Sequence, residues 1–127
     1  MKYDNIFPTG ILVHDVPVWV ANQVEKLVEE RVDKLQRPDD NAPHATDYFE
    51  KEKVIDLKYD TPELMSEIDM CVRNYQNKNA MNRIQEGYSF NWWTQDYKEG
   101  DIHNEHHHNV GQISGVYSVS YTHLTLP

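Results

Sequence analysis

The spacing of apolar residues along the chain changes character twice. Ile6, Phe7, Ile11, Leu12 and Val13 form an apolar, β-branched opening interrupted by Pro8 and Gly10. Proline cannot donate to a sheet ladder, so this pattern predicts a bend at Phe7-Pro8 leading into a short strand, Ile11 to His14. The period then lengthens. Val20, Val24, Leu27, Val28, Val32 and Leu35 recur at steps of three and four among Glu25, Lys26, Glu29, Glu30 and Lys34. That is an amphipathic helix of roughly five turns. Asp15 is a candidate cap, Pro17 suits a first turn, and Pro38 ends it.

Pro38 to Ala45 reads as a loop by composition, and Val54 to Leu57 as a short strand. Thr61-Pro62-Glu63 has the order of a helix start: a capping residue, a proline at the first helical position and an acid in the first turn. Leu64, Ile68, Cys71, Val72 and Tyr75 then make one apolar stripe, fraying from Asn74 to Asn79. Cys71 falls in that stripe, where packing is its expected role. From Gly87 the period becomes two: Tyr88, Phe90 and Trp92 share one face and Ser89 and Asn91 the other. A turn at Lys98 to Asp101 precedes two further strand candidates, Ile102 to His108 and Ile113 to Val119. The expected fold class is α+β, with two helices supporting strands that run to the end of the chain.

Composition narrows the function. The 127 residues suit one domain with one modest core. A net charge of -9 disfavours binding to a phosphate backbone, so no nucleic-acid partner is expected. The single cysteine excludes an intrachain disulfide framework. No apolar run approaches the roughly 20 residues of a membrane span, and the start of the chain lacks the apolar stretch of a signal peptide. A cytoplasmic protein with no membrane partner is the expectation.

The candidate chemistry is concentrated in His103-Asn104-Glu105-His106-His107-His108, which holds four of the seven histidines. Imidazole is the commonest metal ligand, and Glu105 adds a hard carboxylate. On a regular strand, residues two apart share a face, so His106 and His108 point one way while His103, Glu105 and His107 point the other. Two assignments follow: His106 and His108 as metal ligands, or His103 and Glu105. The alternative without a metal is a solvated, histidine-rich edge. His14 and His44 stand alone in ordinary contexts and are read as structural.

Several segments carry a family resemblance. Trp92-Trp93 through Gly100-Asp101, then His106-x-His108, then Ser114-Gly115-Val116-Tyr117, resembles the 2-oxoglutarate/Fe(II)-dependent oxygenases of phage and marine bacteria. Ile6-Phe7-Pro8-Thr9 is similar to that family's N-terminal element. The resemblance covers both ends of the chain but not the helical middle. It implies a double-stranded β-helix, a jelly-roll barrel with supporting helices. It also implies Fe(II) as cofactor and 2-oxoglutarate as cosubstrate, in a dioxygenase that hydroxylates an unactivated C–H bond of a small molecule or an amino-acid side chain. His106 matches the first ligand position, and His108 stands where the wider superfamily has Asp or Glu. A distal histidine and a basic residue for 2-oxoglutarate complete such a site. A cupin is the nearest alternative, since Gly100, His106-x-His108 and Gln112 resemble its first motif with Gln for the usual Glu. A binding protein whose histidines merely decorate a strand is a third reading.

A barrel of this type needs about eight strands. The residues after His108 have room for two strands and a turn. The expectation is therefore that residues 1–117 are the N-terminal part of an oxygenase jelly-roll domain, incomplete and inactive as it stands. Ser118 to Pro127 resembles a reading frame through a sequencing adapter, so 118–127 is expected to be a non-native tail. On that reading His123 is not the distal ligand, and its short separation from His108 argues the same way.

Overall fold

The computed structural model describes residues 11–78, 88–104, 106, 108 and 113–119. Its elements are α1 (Val18–Arg31), a one-turn 3-10 extension (Val32–Lys34), β1 (Ala45–Thr46), α2 (Pro62–Lys78) and β2 (Gln95–Asp96). The described residues thus hold two helices and one two-stranded antiparallel sheet, in which Ala45 pairs with Asp96 and Thr46 with Gln95.

α1 begins on Pro17 rather than on a side-chain cap. The Pro17 carbonyl accepts from the N–H groups of Val20 and Ala21 at 3.0 and 3.1 Å, while the expected cap, Asp15, lies exposed. Proline has no N–H to lose and its φ of -53° already suits a helix entry. The helix stops at Leu35, which is extended at ψ 136°, three residues before Pro38. α2 starts as its sequence predicts, with the Thr61 carbonyl receiving the Met65 N–H at 3.0 Å. The Thr61 hydroxyl, however, donates back to the Leu57 carbonyl at 3.1 Å instead of capping. The helix runs regularly to Lys78 instead of fraying from Asn74, and Gln76 in that last stretch is buried.

The two helices pack on each other. Val20, Val24 and Leu64 form the buried centre, with Val16, Val28, Leu57, Ile68, Tyr117 and Val119 closing around it. Glu25, Glu29 and Lys34 are exposed, as the helical period requires. Among the described residues the apolar stripes meet each other and the segment carrying Tyr117 and Val119, where the sequence predicts a sheet face. Cys71 is half-buried on the α2 stripe, and burial, with the Glu67 carboxylate second, pushes its thiol pKa up. His14 reaches α2 through a 2.7 Å contact with Glu67. No helix of the described residues is long and apolar enough to cross a membrane.

Among the described residues several strand expectations do not hold, and Ile113 to Val119 is in no ladder. Ile11 to His14 has no ladder partner, and Ile11 and Val13 are 84% and 82% exposed. Val54 to Leu57 is a bend, because the Asp56 carboxylate accepts from its own backbone at Lys58 and Tyr59, both at 2.9 Å. Such an aspartate turn competes directly with a ladder. It is locked by Asp60, whose carboxylate takes the Asp56 N–H at 2.9 Å and Arg31 at 2.5 Å. Further along, Tyr88 to Trp93 belongs to no ladder, although Phe90 and Trp92 stack at 5.8 Å as residues two apart should. The turn at Lys98 to Asp101 is present. Gly100 sits there at φ +87°, a conformation that side chains rarely adopt, and the Asp101 N–H donates to the Lys98 carbonyl at 2.9 Å.

Candidate metal centre

The residue that shapes this region is Asp47, 2% exposed and just past β1. Its two carboxylate oxygens accept from the backbone N–H groups of Val54 (2.8 Å) and Thr94 (2.7 Å). One side chain therefore ties the 47–54 loop to the strand that leads towards the histidines. Thr46 adds a hydroxyl bond to the Thr94 carbonyl at 3.0 Å. Trp92 faces away from the cavity side of this junction, donating its indole N–H to the Ile55 carbonyl at 3.0 Å, with the Lys58 ammonium 5.8 Å from its ring centre.

Trp93 faces a cavity of about 350 Å³, and the histidines line its other side. His103, His106 and His108 all reach it, joined by His44 from the Pro-rich loop. The rings form a chain. His44 lies 5.0 Å from His103, His103 stacks on His106 at 4.3 Å, and His106 meets His108 edge to face at 4.9 Å. Trp93 lies 5.7 Å beyond His108, and Tyr97 stacks on His44 at 4.7 Å.

This arrangement corrects the two-face division expected of the histidine segment. Alternation of side chains requires a pleated strand, and residues 102–104, 106 and 108 are in no ladder. His103 and His106 therefore share one cavity. Trp93 is the indole beside His108, while Trp92 turns to the Ile55 carbonyl. Glu105 and His107 lie outside the described residues, as do Gln112 and His123. His44, read from sequence as an isolated structural histidine, belongs to the cluster. It is buried at 7% exposure with its Nδ1 unpartnered. Nothing in its local sequence announces this, since the loop brings it in only through the β1–β2 pairing.

Hydrogen bonds set which nitrogens are free. A carbonyl can only accept, so His106 donates through Nδ1 to the Asn104 carbonyl at 3.0 Å, leaving the Nε2 lone pair available. Tyr97 gives its single hydroxyl proton to Gln95 Oε1 at 2.9 Å, so at 2.8 Å it accepts from His103 Nδ1. His103 Nε2 is free by the same argument. The His103 pKa is lowered, first by desolvation of the ring and then by the neighbouring imidazoles of His106, His44 and His108. A depressed pKa keeps the ring neutral, the form that ligates metals. The phenol of Tyr97 is pushed up by desolvation and then by the Asp101 carboxylate. Asp101 in turn is held low by the Lys98 N–H and by Arg37 at 2.6 Å.

The spacing of the His106 and His108 rings can be set against that of two ligands on one ion. Imidazoles whose nitrogens lie about 2.0–2.1 Å from a metal hold their ring centres about 5 Å apart, and the observed separation is 4.9 Å. The stacked His103–His106 pair, with planes only 12° apart, cannot converge on one ion in the same way. Among the described residues no group of three His, Cys, Asp or Glu side chains is placed to hold a metal. Among the described residues no Lys or Arg lines the cavity, and Arg37 behind it is occupied by Asp101 and by the Ala42 carbonyl at 2.8 Å. No family model matches this chain, and neither a curated protein nor a solved structure matches it.

Proposed function

We propose that the histidine cavity is the metal site of a 2-oxoglutarate- and Fe(II)-dependent oxygenase of the jelly-roll type, with His106 and His108 as ligands. The observation that carries this reading is the state of His106. Its Nδ1–H is fixed on a backbone carbonyl, its Nε2 is free, and His108 lies at the separation of a second ligand. Metal-bound histidines are commonly oriented by a hydrogen bond of this kind. The Trp92 to Asp101 and Ser114 to Tyr117 segments on either side add the family resemblance.

Bound Fe(II) and 2-oxoglutarate would supply oxidation of a C–H bond by O2, the cosubstrate leaving as succinate and carbon dioxide. The chain's own part is to present two imidazoles, to fix His106 through Asn104 and His103 through Tyr97, and to wall the site with Trp93. The substrate proposed is a small molecule or an amino-acid side chain. A cupin-type metal-binding protein is the second reading. It is supported by the likeness of Gly100, His106-x-His108 and Gln112 to the first cupin motif.

Anaerobic titration with Co(II) as a spectroscopic stand-in for Fe(II) tests both. His106→Ala and His108→Ala should each weaken binding at least tenfold, while His103→Ala leaves it within threefold. Loss of binding in His103→Ala with His106→Ala unaffected would transfer the site to His103 and Glu105. A change in the Co(II) spectrum on adding 2-oxoglutarate supports the oxygenase. Fe(II) binding without succinate release by a longer chain restored from its source would favour the cupin reading.

A further inference from the structure

The cavity has a second end, built from aromatic rings. Tyr48 meets Phe49 edge to face at 4.9 Å and 87°, and meets Trp93 at 4.9 Å and 89°. One ring thus stands perpendicular to two others, and all three line the same cavity as His106 and His108. Phe49 is 74% exposed and Tyr48 51% exposed, so these rings are not spent on the protein's own core.

The loop that carries them is held in shape from behind. The Lys53 ammonium donates to the carbonyls of Asp47, Tyr48 and Glu50 at 2.8, 3.1 and 2.8 Å. The Tyr48 N–H donates to the Thr46 hydroxyl at 3.1 Å, and the Glu50 N–H to the Asp47 carbonyl at 3.0 Å. Preorganised rings bind without paying to be ordered first.

We infer that Tyr48, Phe49 and Trp93 form a receptor for an alkylammonium group, so that the group presented to the histidines is a lysine-type side chain. Aromatic faces attract a cation through their quadrupole, and several faces around one point attract it more. Lys53 and Arg37, beside this loop, are bound to protein oxygens, and neither lines the cavity. The chain's net charge of -9 draws cations and repels anionic substrates. Trp93 links the two ends, with His108 5.7 Å from its ring.

The substrate class rests on the metal-site reading for the chemistry that follows, but binding of the cation does not. The test therefore uses the metal-free 127-residue chain. Nα-Acetyl-lysine methylamide, the neutral norleucine analogue and the glutamate analogue are titrated against tryptophan fluorescence and the indole NMR signals. The lysine analogue should bind, with the norleucine analogue at least fivefold weaker and the glutamate analogue weaker still. Phe49→Ala and Tyr48→Ala should each cost roughly 2- to 30-fold. Tyr48→Phe keeps the ring and should stay within twofold, which separates the ring's role from a folding defect. The metal-free chain should bind the lysine analogue, so failure of the metal site leaves this result standing. Equal binding of lysine and norleucine analogues, no binding of the lysine analogue, or preference for the glutamate analogue would each overturn the inference.

Discussion

Asp47 shows how much one side chain decides in this protein. Its carboxylate satisfies two backbone N–H groups that belong to segments far apart in sequence, Val54 and Thr94. Removing it leaves both donors without a partner in a buried place, and that penalty exceeds the modest net gain of an ordinary hydrogen bond. Asp47→Ala should lower stability by about 3 kcal/mol, read from urea unfolding, and should shift the indole signal of the adjoining Trp93. Tyr88 offers a second test at this scale. Its hydroxyl donates to Asp69, and desolvation, with that carboxylate second, pushes its pKa up to about 12. A raised folded-state pKa stabilises fully below the ordinary tyrosine value of about 10 and loses that contribution as pH rises towards about 12. Apart from the raised Tyr97, titration of phenolate absorbance should show a late component at about 12 that vanishes in Tyr88→Phe. Its persistence in that variant would assign the late component to another tyrosine.

At the scale of elements, the helices were legible because their signals are local. The spacing of Val20, Val24 and Val28, and of Leu64, Ile68 and Val72, reports a helical face whatever lies opposite. What they pack on was not legible: Leu64 closes on Val20 and Val24 of the other helix. Leu64 is 2% exposed at that contact. Leu64→Ala should cost about 3 kcal/mol in thermal or urea unfolding, since the cavity left between two helices cannot collapse fully. A cost below about 1 kcal/mol would show that the pair repacks. The strands were harder because short apolar runs do not declare their partners. Val54 to Leu57 has β-branched residues, yet Asp56 turns the backbone on itself with bonds to Lys58 and Tyr59. Such an aspartate could have been read as a turn signal. The histidine segment failed for a related reason: its division into two faces assumed a pleat that the backbone does not adopt.

Across the whole molecule, carboxylates hold parts that the small core cannot. Asp60 ties the turn after Asp56 to Arg31 at the end of α1, and Asp101 ties the Lys98 turn to Arg37. Asp69 holds Tyr88 and Arg73. All three have lowered pKa values: Asp60 through the Asp56 N–H and then Arg31, Asp69 through Arg73 and then Tyr88, and Asp101 through the Lys98 N–H and then Arg37. A depressed folded-state pKa gives stability that is complete above the ordinary carboxylate value of 3.8 and drains away as pH falls through the folded value. Thermal midpoints should therefore hold between pH 5 and 7 with respect to these groups and fall steeply below pH 4. Asp60→Asn should flatten that fall. An unchanged acid slope in this variant would mean that the Arg31 contact contributes nothing.

The sequence by itself determined the two helices, the cap position at Thr61, the turn at Gly100, the acidic balance and the concentration of imidazoles between His103 and His108. Each depends on residues within a few positions of one another, so period and composition suffice to reveal it. Only the tertiary structure decided that His44 joins the cluster, that His103 and His106 share one cavity, and that Trp93 rather than Trp92 stands beside His108. Those outcomes follow from the pairing of β1 with β2 and from the bond between Asp47 and Thr94, contacts that span nearly fifty residues. A chain's local pattern says which way a side chain can face. It does not say which distant segment will be brought against it.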